Sequence, residues 1–228
     1  MRRMIVTLDG PAGSGKSTTA WQLASRLGVE MLDTGAMYRG ITAKALDRGI
    51  DIATEPHAVI ELARSSEVRF DWTQQPPRLW VGRRDMTDRL RDHDVTNWVS
   101  DVSSMPAIRH VMVKAQRRIA SEHPRLVTEG RDQGSVVFPD ADAKFYLDAS
   151  PQVRAKRRAD QLRAAGKPVD LDQIREAIIL RDRKDAARKD GPLICPEDAQ
   201  RIDTSDMTSE QVVDFLAQRV RALVEVEA

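Results

Sequence analysis

Residues 10–18 read Gly-Pro-Ala-Gly-Ser-Gly-Lys-Ser-Thr and follow directly on an apolar run at residues 4–8, Met-Ile-Val-Thr-Leu. The pattern G-x-x-x-x-G-K-[ST] is typical of a phosphate-binding loop when a strand precedes it and a helix follows it. The apolar run has the length and the β-branched content of a strand. After the loop, Ala20, Leu23, Ala24 and Leu27 recur at the spacing of an amphipathic helix. The stretch therefore predicts a strand, a phosphate loop and a helix.

The chemistry of this loop suits a nucleoside triphosphate. Its glycines permit φ > 0, so that successive N–H groups can point at phosphate oxygens, and the helix that follows adds its positive N-terminal dipole. Lys16 can reach the β- and γ-phosphates, and the Ser17 hydroxyl can bind Mg²⁺. We expect the whole loop to bind ATP, through Gly10, Pro11, Ala12, Gly13, Ser14, Gly15, Lys16, Ser17 and Thr18.

The composition is that of a globular protein that is neither secreted nor membrane-bound. The chain has 228 residues, of which 41% are hydrophobic and 31% charged, and no apolar run is long enough to span a bilayer. The loop lies too close to the N-terminus to follow a cleaved signal peptide, and the single cysteine, Cys195, can form no disulfide within the chain. We therefore expect a cytoplasmic protein in which Cys195 is a packed side chain.

The charge is unevenly distributed. Although the net charge is only +1, residues 151–191 contain 12 lysine and arginine residues against seven aspartate and glutamate residues. The segment lacks the interleaved aromatic residues that stack on nucleic-acid bases, and the chain has no zinc-finger or helix-turn-helix pattern. We therefore expect a small phosphorylated ligand and no nucleic-acid or membrane partner. No surface stripe calls for a second subunit, so a monomer is expected.

Further apolar runs predict a parallel α/β sheet. Residues 31–32, 126–127 and 143–147 are short apolar runs, each followed by polar or charged residues, as at strand ends that line a crevice. Helical stripes lie between and after them. One comprises Ile108, Val111, Met112, Ala115 and Ile119, and the last comprises Val212, Leu216, Val220, Leu223 and Val224.

Residues 63–103 interrupt this alternation. Short alternating pieces at 68–72 and 79–84, separated by Gln-Gln-Pro-Pro at 74–77, predict a small antiparallel meander inserted into the α/β frame. Trp72 and Trp80 are expected to form the core of this insert, although base stacking is an alternative. The fold class predicted is α/β: a P-loop three-layer core with a parallel sheet, a small antiparallel insert and a short helical lid.

Arginines near strand ends form a second set of candidates. Arg39 follows a strand, with Thr34 as the candidate N-cap of the helix, and Arg131 and Asp132 follow another strand between two glycines. Arg181, Asp185 and Arg188 share one face if that stretch is helical. For each set the alternative is a solvated or self-paired surface. Arg154, Arg157 and Arg158 form a further basic cluster with the same alternative, and Arg157 is taken as a candidate ATP ligand.

The loop lysine and these arginines suit phosphoryl transfer. The sequence has neither the Asn-Lys-x-Asp motif of GTPases nor an apolar strand ending in Asp-Glu. The transition state spreads charge over the equatorial phosphoryl oxygens, so catalysis consists mainly of positioning and cationic stabilisation. Lys16, Arg131, Arg181 and Arg188 are the catalytic candidates. A phosphate acceptor is already an anionic nucleophile and needs no general base. This agrees with the absence of histidine from these motifs.

Four segments together resemble the bacterial cytidylate kinases. Beside the loop, these are Leu-Asp-Thr-Gly-Ala-Met-Tyr-Arg at 32–39, Glu-Gly-Arg-Asp-Gln-Gly-Ser-Val-Val-Phe-Pro-Asp-Ala at 129–141 and Arg-Asp-Arg-Lys-Asp-Ala-Ala-Arg at 181–188. Their order and spacing match over nearly the whole chain. Thr34 stands where the family often has serine, which keeps the hydroxyl.

The resemblance implies transfer of the γ-phosphoryl group of ATP to CMP or dCMP with Mg²⁺. It implies that Thr34, Arg39 and Arg131 hold the CMP phosphate. It assigns the cytosine to Ser100, Arg109 and Asp132, and the pentose and phosphates to Arg181, Asp185 and Arg188. Ser17 would bind Mg²⁺ together with the ATP phosphates, and Asp33 could do so through water.

The domain division expected is a P-loop kinase core at 1–62 and 105–228, with the lid within about 153–190, and an NMP-binding subdomain at 63–104. Two alternatives remain at this stage. One is a P-loop kinase for another small acceptor, such as another nucleoside monophosphate, shikimate or gluconate. The other is a non-catalytic nucleotide-dependent switch or nucleic-acid-binding module.

Overall fold

The structure, a computed structural model, describes residues 3–226, with side chains up to residue 223. The strands are β1 (Met4–Asp9), β2 (Glu30–Asp33), β3 (Val68–Asp71), β4 (Arg78–Val81), β5 (Arg84–Asp85), β6 (Arg125–Gly130), β7 (Ala143–Asp148) and β8 (Gln200–Asp203). The α-helices are α1 (Lys16–Leu27), α2 (Thr34–Asp47), α3 (Pro56–Arg64), α4 (His93–Ser104), α5 (Pro106–Glu122), α6 (Pro151–Ala164), α7 (Leu171–Ala186) and α8 (Ser209–Val226). A 3₁₀ turn spans Thr87–Arg89, and a π-helical turn spans Gln133–Val137.

The chain forms two compact units. The first comprises Met1–Leu32 and Pro124–Ala228, and the second comprises Asp33–His123. The second unit thus contains α2, α3 and α5 in addition to the small antiparallel sheet. The predicted NMP-binding subdomain, residues 63–104, is narrower than this second unit. It is defined by substrate binding and not by compactness, so it stays a prediction.

The first unit is organised around a five-stranded parallel sheet in the order β2-β6-β1-β7-β8, which confirms the predicted fold class. The central strand β1 is buried along its whole length, as expected for a parallel strand covered on both faces. It pairs with β6 from Met4 opposite Arg125 to Asp9 opposite Gly130. This register brings the ends of β1 and β6 side by side, so that the phosphate loop and the turn after Gly130 begin at the same edge.

Helices α1 and α8 cover this sheet with their apolar stripes. Leu23 of α1 and Leu216 of α8 are fully buried in one cluster with Val6 and Leu147. The predicted stripe of α8 is wrong at Leu223, which is 47% exposed. The side chain of Val224 lies outside the described residues.

Two features of the first unit were not predicted. Strand β8 has one buried apolar residue, Ile202, between polar neighbours, so it gives no apolar run. Cys195 is exposed, and the prediction of a packed side chain is therefore wrong. It lies in an irregular segment at 190–199 that no helix or strand covers.

The second unit contains the predicted meander, an antiparallel sheet in the order β3-β4-β5. Its core consists of Val68, Leu79, Val81 and Met86, all essentially inaccessible to solvent. Trp72 and Trp80 are half-buried beside that core. Trp72 stacks on Phe70, with ring centroids 5.4 Å apart, and Trp80 lies under the guanidinium of Arg69 at 4.8 Å. The tryptophans therefore pack against their neighbours without filling the centre of the sheet.

The extent of the irregular segment was predicted wrongly. The three antiparallel strands all lie between residues 68 and 85, whereas α3 continues to Arg64 and residues 93–104 form α4. Buried Val95, Val99 and Val102 give α4 an i, i+4, i+7 stripe that the sequence does contain. Within residues 3–226 there is also no helix with the length and apolar content needed to cross a bilayer.

Candidate active site

The phosphate loop connects the end of β1 to the start of α1. Gly10 has φ +145°, and a Cβ atom there would lie 2.0 Å from the carbonyl oxygen of Leu147, so the loop can pass this close to β7 only with glycine. Gly15, at φ +93°, occupies the N-cap position of α1 and has no side chain with which to cap the first-turn N–H groups. A helix start of this kind is suited to bind an anion.

The side chain of Lys16 is buried within the phosphate loop. Its ammonium donates to the Pro11 carbonyl at 2.6 Å and to Ser14 Oγ at 3.3 Å. Burial, followed by the positive charge of Arg131, lowers the pKa of Lys16 to about 7, and Arg181 acts in the same direction. Three cationic side chains are therefore close enough to influence one another electrostatically.

Ser17 and Glu129 supply oxygen atoms beside the loop. The Ser17 hydroxyl donates to Glu129 Oε1 at 2.9 Å, and Glu129 is buried at the end of β6. Oxygen ligands of this type suit Mg²⁺, so the predicted role of Ser17 fits its surroundings. Glu129 was not proposed as a site residue, although a charged residue at the end of a buried parallel strand was the available signal.

Asp33 lies at the start of α2 in the second unit. Its carboxylate accepts the N–H of Ala36 at 2.8 Å and thereby caps the helix. The predicted capping residue, Thr34, is instead the first helical residue and is buried. The prediction was wrong by one residue, because aspartate and threonine are both good N-caps and either can begin this helix.

Asp9 is a buried carboxylate that sequence reasoning missed. It accepts the N–H of Gln133 at 2.9 Å and that of Gly134 at 2.7 Å, so it fixes the turn that follows Arg131 and Asp132. Burial raises the pKa of Asp9 to about 6, against the lowering effect of these two hydrogen bonds. Its position directly before Gly10, at the end of an apolar strand, was the signal.

A buried ionic cluster joins three of the predicted residues. Arg131 Nε donates to Asp185 Oδ2 at 2.9 Å, and Arg188 Nη2 contacts Asp185 Oδ1 at 2.6 Å. The carboxylate of Asp185 is 1% exposed, so this part of the run is not a solvated surface, although Asp185 and Arg188 do pair with each other. Burial acts to raise the pKa of Asp185, but the charges of Arg131, Arg188 and Arg181 outweigh it and hold that pKa below its usual value. Helix α7 ends at Ala186, so Arg188 reaches the cluster from beyond the helix.

Helices α6 and α7 also contact the phosphate loop. Arg154 Nη1 donates to the Ala12 carbonyl at 3.0 Å, and Asp182 Oδ1 accepts the Ala12 N–H at 3.2 Å. Arg157, the candidate ATP ligand, donates to the Ser14 carbonyl at 3.3 Å and to Thr204. Arg158, in contrast, is exposed and donates to Gln161, which agrees with a surface role.

The remaining candidates lie in the second unit, except Asp132, which is buried in the first. Arg39 Nη1 donates to the Leu90 carbonyl and to Thr96 Oγ1, each at 3.1 Å. Arg109 is buried, donates to the Ser103 carbonyl at 3.2 Å and has its guanidinium 5.7 Å from the Tyr38 ring centroid. The Ser100 carbonyl accepts the Ser103 hydroxyl, so Ser100 and Arg109 both adjoin Ser103.

This parallel sheet, with a glycine-rich loop, a buried lysine and a magnesium-compatible serine after its first strand, defines a P-loop kinase fold. A gluconokinase structure from Sinorhizobium meliloti has a similar fold, with a TM-score of 0.52 and 13% identity over 99% of this chain and 96% of that one. The sequence profile of the cytidylate kinase family matches residues 6–222, and the chain belongs to that family.

Individual relatives agree with this assignment. The cytidylate kinase of Caldanaerobacter subterraneus is 42% identical over 95% of this chain and 94% of its own length. That of Corynebacterium efficiens is 43% identical, with 97% and 96% covered. A bifunctional pantoate ligase/cytidylate kinase of a Synechococcus strain matches at 40% identity over 98% of this chain, which spans 42% of that longer protein.

Proposed function

We propose that this protein transfers the γ-phosphoryl group of ATP to CMP or dCMP, giving ADP and CDP or dCDP. Family membership and about 42% identity to full-length cytidylate kinases support the proposal. The structural observation that carries it is the position of Lys16 inside the phosphate loop, where its ammonium donates to the Pro11 carbonyl at 2.6 Å. In the same unit, Arg131 and Arg188 are held together by Asp185. These cations, partly balanced by Asp185, suit the triphosphate of ATP and the single phosphate of the acceptor.

The chemistry follows from these charges. Lys16, Arg131, Arg181 and Arg188 are the proposed catalytic residues, since they would stabilise negative charge on the transferring phosphoryl group during in-line displacement. No general base is required, because the acceptor phosphate is ionised at neutral pH. The transfer forms a bond from a CMP phosphate oxygen to the γ-phosphorus and breaks the bond to the β,γ-bridging oxygen, which leaves with ADP.

Mg²⁺ would be held by the Ser17 hydroxyl together with ATP phosphate oxygens. When bound, it neutralises charge on the β- and γ-phosphates. Glu129, whose carboxylate accepts the Ser17 hydroxyl at 2.9 Å, is the acidic group of the first unit best placed to orient that ligand. Asp33 is proposed as a ligand through water, because a carboxylate is the kind of oxygen ligand that Mg²⁺ takes.

The residues proposed to bind the acceptor come from several segments of the chain. Thr34, Arg39 and Arg131 would hold the CMP phosphate, and Arg181, Asp185 and Arg188 the pentose and phosphates. Ser100, Arg109 and Asp132 would read cytosine, whose N4 amino group donates and whose N3 and O2 accept. Uracil reverses the polarity at C4 and N3, so a buried polar group would lose its partner. Residues 63–104 are the proposed NMP-binding part. The proposed lid lies within about 153–190, which contains α7 and most of α6.

The proposed partners are small molecules. ATP, CMP and dCMP are cytoplasmic metabolites, so we place the protein in the cytoplasm. We also propose that it is a monomer and that it has no nucleic-acid or membrane partner. Light scattering on purified protein tests the monomer, since a dimer would give twice the chain mass of 25.6 kDa.

A coupled assay of ADP release tests the reaction. Purified protein with ATP and Mg²⁺ is given CMP, dCMP, UMP, AMP, GMP, shikimate, gluconate or no acceptor. Turnover confined mainly to CMP and dCMP is expected. A preference for another acceptor would change the proposed substrate but would leave the proposal of a kinase intact. ATP binding without any acceptor-dependent turnover would favour a nucleotide-dependent switch.

Two substitutions make this assay specific. Arg131→Ala should lower kcat/KM for CMP about 100-fold or more, because it removes a charge proposed to act in the transition state. Arg158→Ala is the matched control, since Arg158 is an exposed arginine of the same unit and should leave kcat/KM unchanged. Equal effects of the two would contradict the proposed site.

A further inference from the structure

Asp182 lies on α7 beside residues proposed to bind substrate, yet its carboxylate contacts the phosphate loop. It stands between Arg181 and Asp185 in the chain, and it is 20% exposed. Its Oδ1 accepts the backbone N–H of Ala12 at 3.2 Å. Its Oδ2 pairs with Arg154 Nη1 of α6 at 2.5 Å. The carboxylate thus joins α7, α6 and the loop at one point.

Arg154 completes this arrangement. Its guanidinium is 5% exposed, and Nη1 donates to the Ala12 carbonyl at 3.0 Å while Nε donates to the Ala149 carbonyl at 2.8 Å. Both backbone polar groups of Ala12 are therefore engaged by the Asp182–Arg154 pair. A Cβ atom added at Gly13 would lie 3.3 Å from Arg154 Cβ, so α6 is in direct contact with the next loop residue as well.

This contact matters because a phosphate loop binds through the orientation of its backbone. The N–H groups must be aimed before the ligand arrives, or their ordering reduces the affinity. Ala12 precedes the residues whose N–H groups lead into α1, and charge-assisted hydrogen bonds of this type are among the stronger ones in proteins. Fixing Ala12 at both its N–H and its carbonyl therefore limits how far the loop can rotate.

We propose that Asp182 is a positioning residue that, together with Arg154, holds the phosphate loop in its anion-binding shape through Ala12. The proposal rests on the proposed function only in taking a nucleoside triphosphate as the ligand of the loop. It gives α7 a second role, since the helix that carries Arg181 and Asp185 also orders the loop that holds ATP.

Two effects of Asp182 act in opposite directions on ATP binding. Its order-promoting contact with Ala12 strengthens binding, whereas its negative charge repels the triphosphate. Asp182→Ala removes both. Asp182→Asn removes the charge but keeps a carbonyl oxygen that can accept the Ala12 N–H. If positioning dominates, alanine weakens ATP binding and asparagine largely preserves it; if charge dominates, both variants bind ATP more tightly.

The experiment is calorimetric titration of the full chain with MgATP, without acceptor. We expect the Kd of Asp182→Ala to rise about tenfold and that of Asp182→Asn to stay within about threefold of wild type. Hydrogen exchange of the Ala12 amide, followed by NMR, should be faster in Asp182→Ala than in wild type or Asp182→Asn. Asp172→Ala is the matched control, since Asp172 is an exposed aspartate of the same helix paired with Arg175.

Three results would overturn the proposal: an unchanged or lower Kd in Asp182→Ala, an equal rise in the control, or unchanged exchange at Ala12. If Asp182→Ala does not fold, Asp182→Glu takes its place, because the longer side chain keeps the charge but displaces the carboxylate. A rise of about fivefold in its Kd is expected, and no rise would reject the role. Failure to phosphorylate CMP would remove the proposed function while these binding and exchange results still decide the role of Asp182.

Discussion

The guanidinium of Arg131 and the carboxylate of Asp185 form a buried ion pair with an Nε–Oδ2 distance of 2.9 Å, although 54 residues separate them in the chain. Arg188 contacts the other oxygen of the same carboxylate. One acidic group thus holds together two of the arginines proposed to act on the transferring phosphate. Its removal would leave these cations close to each other in a poorly solvated place.

Asp185→Asn should therefore destabilise the protein by about 3 kcal/mol, because breaking a buried pair leaves uncompensated charge. The free energy of unfolding, measured in urea, tests this. Asp160→Asn is the control: Asp160 pairs with Arg163 where both side chains are more than half exposed, so the change should stay below about 0.5 kcal/mol. Equal losses in the two variants would contradict a buried cluster.

Lys16 should take up a proton when the triphosphate binds. With a pKa of about 7 in the ligand-free protein, it is mainly neutral at pH 8, whereas phosphate oxygens beside it favour the charged form. Binding of MgATP at pH 8 should therefore take up roughly one proton. Titration calorimetry in two buffers of different ionisation enthalpy measures this number.

The control for this prediction is Lys16→Arg, which stays charged at pH 8. It should bind MgATP, if more weakly, with heats that no longer depend on the buffer. The explanation fails if wild type also shows no buffer dependence at pH 8. At pH 6, where Lys16 is already charged, the uptake by this group should largely disappear in wild type.

Asp9 should make the folded state more favourable as the pH falls below neutrality. Its pKa is about 6 in the folded protein against 3.8 for an ordinary aspartate, so between these values the folded state binds the proton and the unfolded state does not. The contribution is present in full below about 3.8 and is lost as the pH rises through 6. Relative to Asp9→Asn, wild type should gain about 1.4 kcal/mol between pH 7 and pH 5.

Urea unfolding of both proteins at the two pH values gives this difference directly. Asp160→Asn, an exposed control in the same unit, should follow wild type at both pH values. A constant gap between wild type and Asp9→Asn would show that Asp9 does not titrate in this range.

Gly10→Ala should destabilise the protein by about 3 kcal/mol, because the new Cβ atom would meet the Leu147 carbonyl oxygen, a backbone atom that cannot move alone. Gly166→Ala isolates the cost of the left-handed backbone: Gly166 has φ +68° with no atom within 4 Å of the added Cβ. That variant should lose about 1 kcal/mol. Thermal unfolding of the two variants compares them, and similar losses would show that close packing at Gly10 is unimportant.

The sequence was sufficient to predict those parts of the fold that have a periodic apolar pattern or a motif with fixed spacing. The loop between β1 and α1 contains glycines and a lysine at the spacing of the phosphate-loop motif, and β6 and β7 contain apolar runs of strand length. Strand β8 could not be predicted in the same way. Its one buried residue, Ile202, depends on pairing with β7, which is a tertiary interaction.

Two of the residues missed at the site, Asp9 and Asp182, share another property: each accepts backbone N–H groups of a distant segment. Asp9 accepts N–H groups at 133–134, and Asp182 accepts that of Ala12. Neither partnership leaves a local spacing pattern. Asp185 and Arg188 show the reverse case, because their i, i+3 spacing is visible while their shared partner, Arg131, and their burial are not.

The central place of β1 has a consequence for the order in which the chain folds. Strand β1 is synthesised before both of its partners, β6 and β7, which end at residues 130 and 148. At a synthesis rate of about 5–20 residues per second, at least several seconds pass between the synthesis of β1 and that of either neighbouring strand. The unit at 33–123, in contrast, is complete in the chain before β6 is made. We expect this unit to fold first during synthesis, while the strand that leads into the phosphate loop is still unpaired.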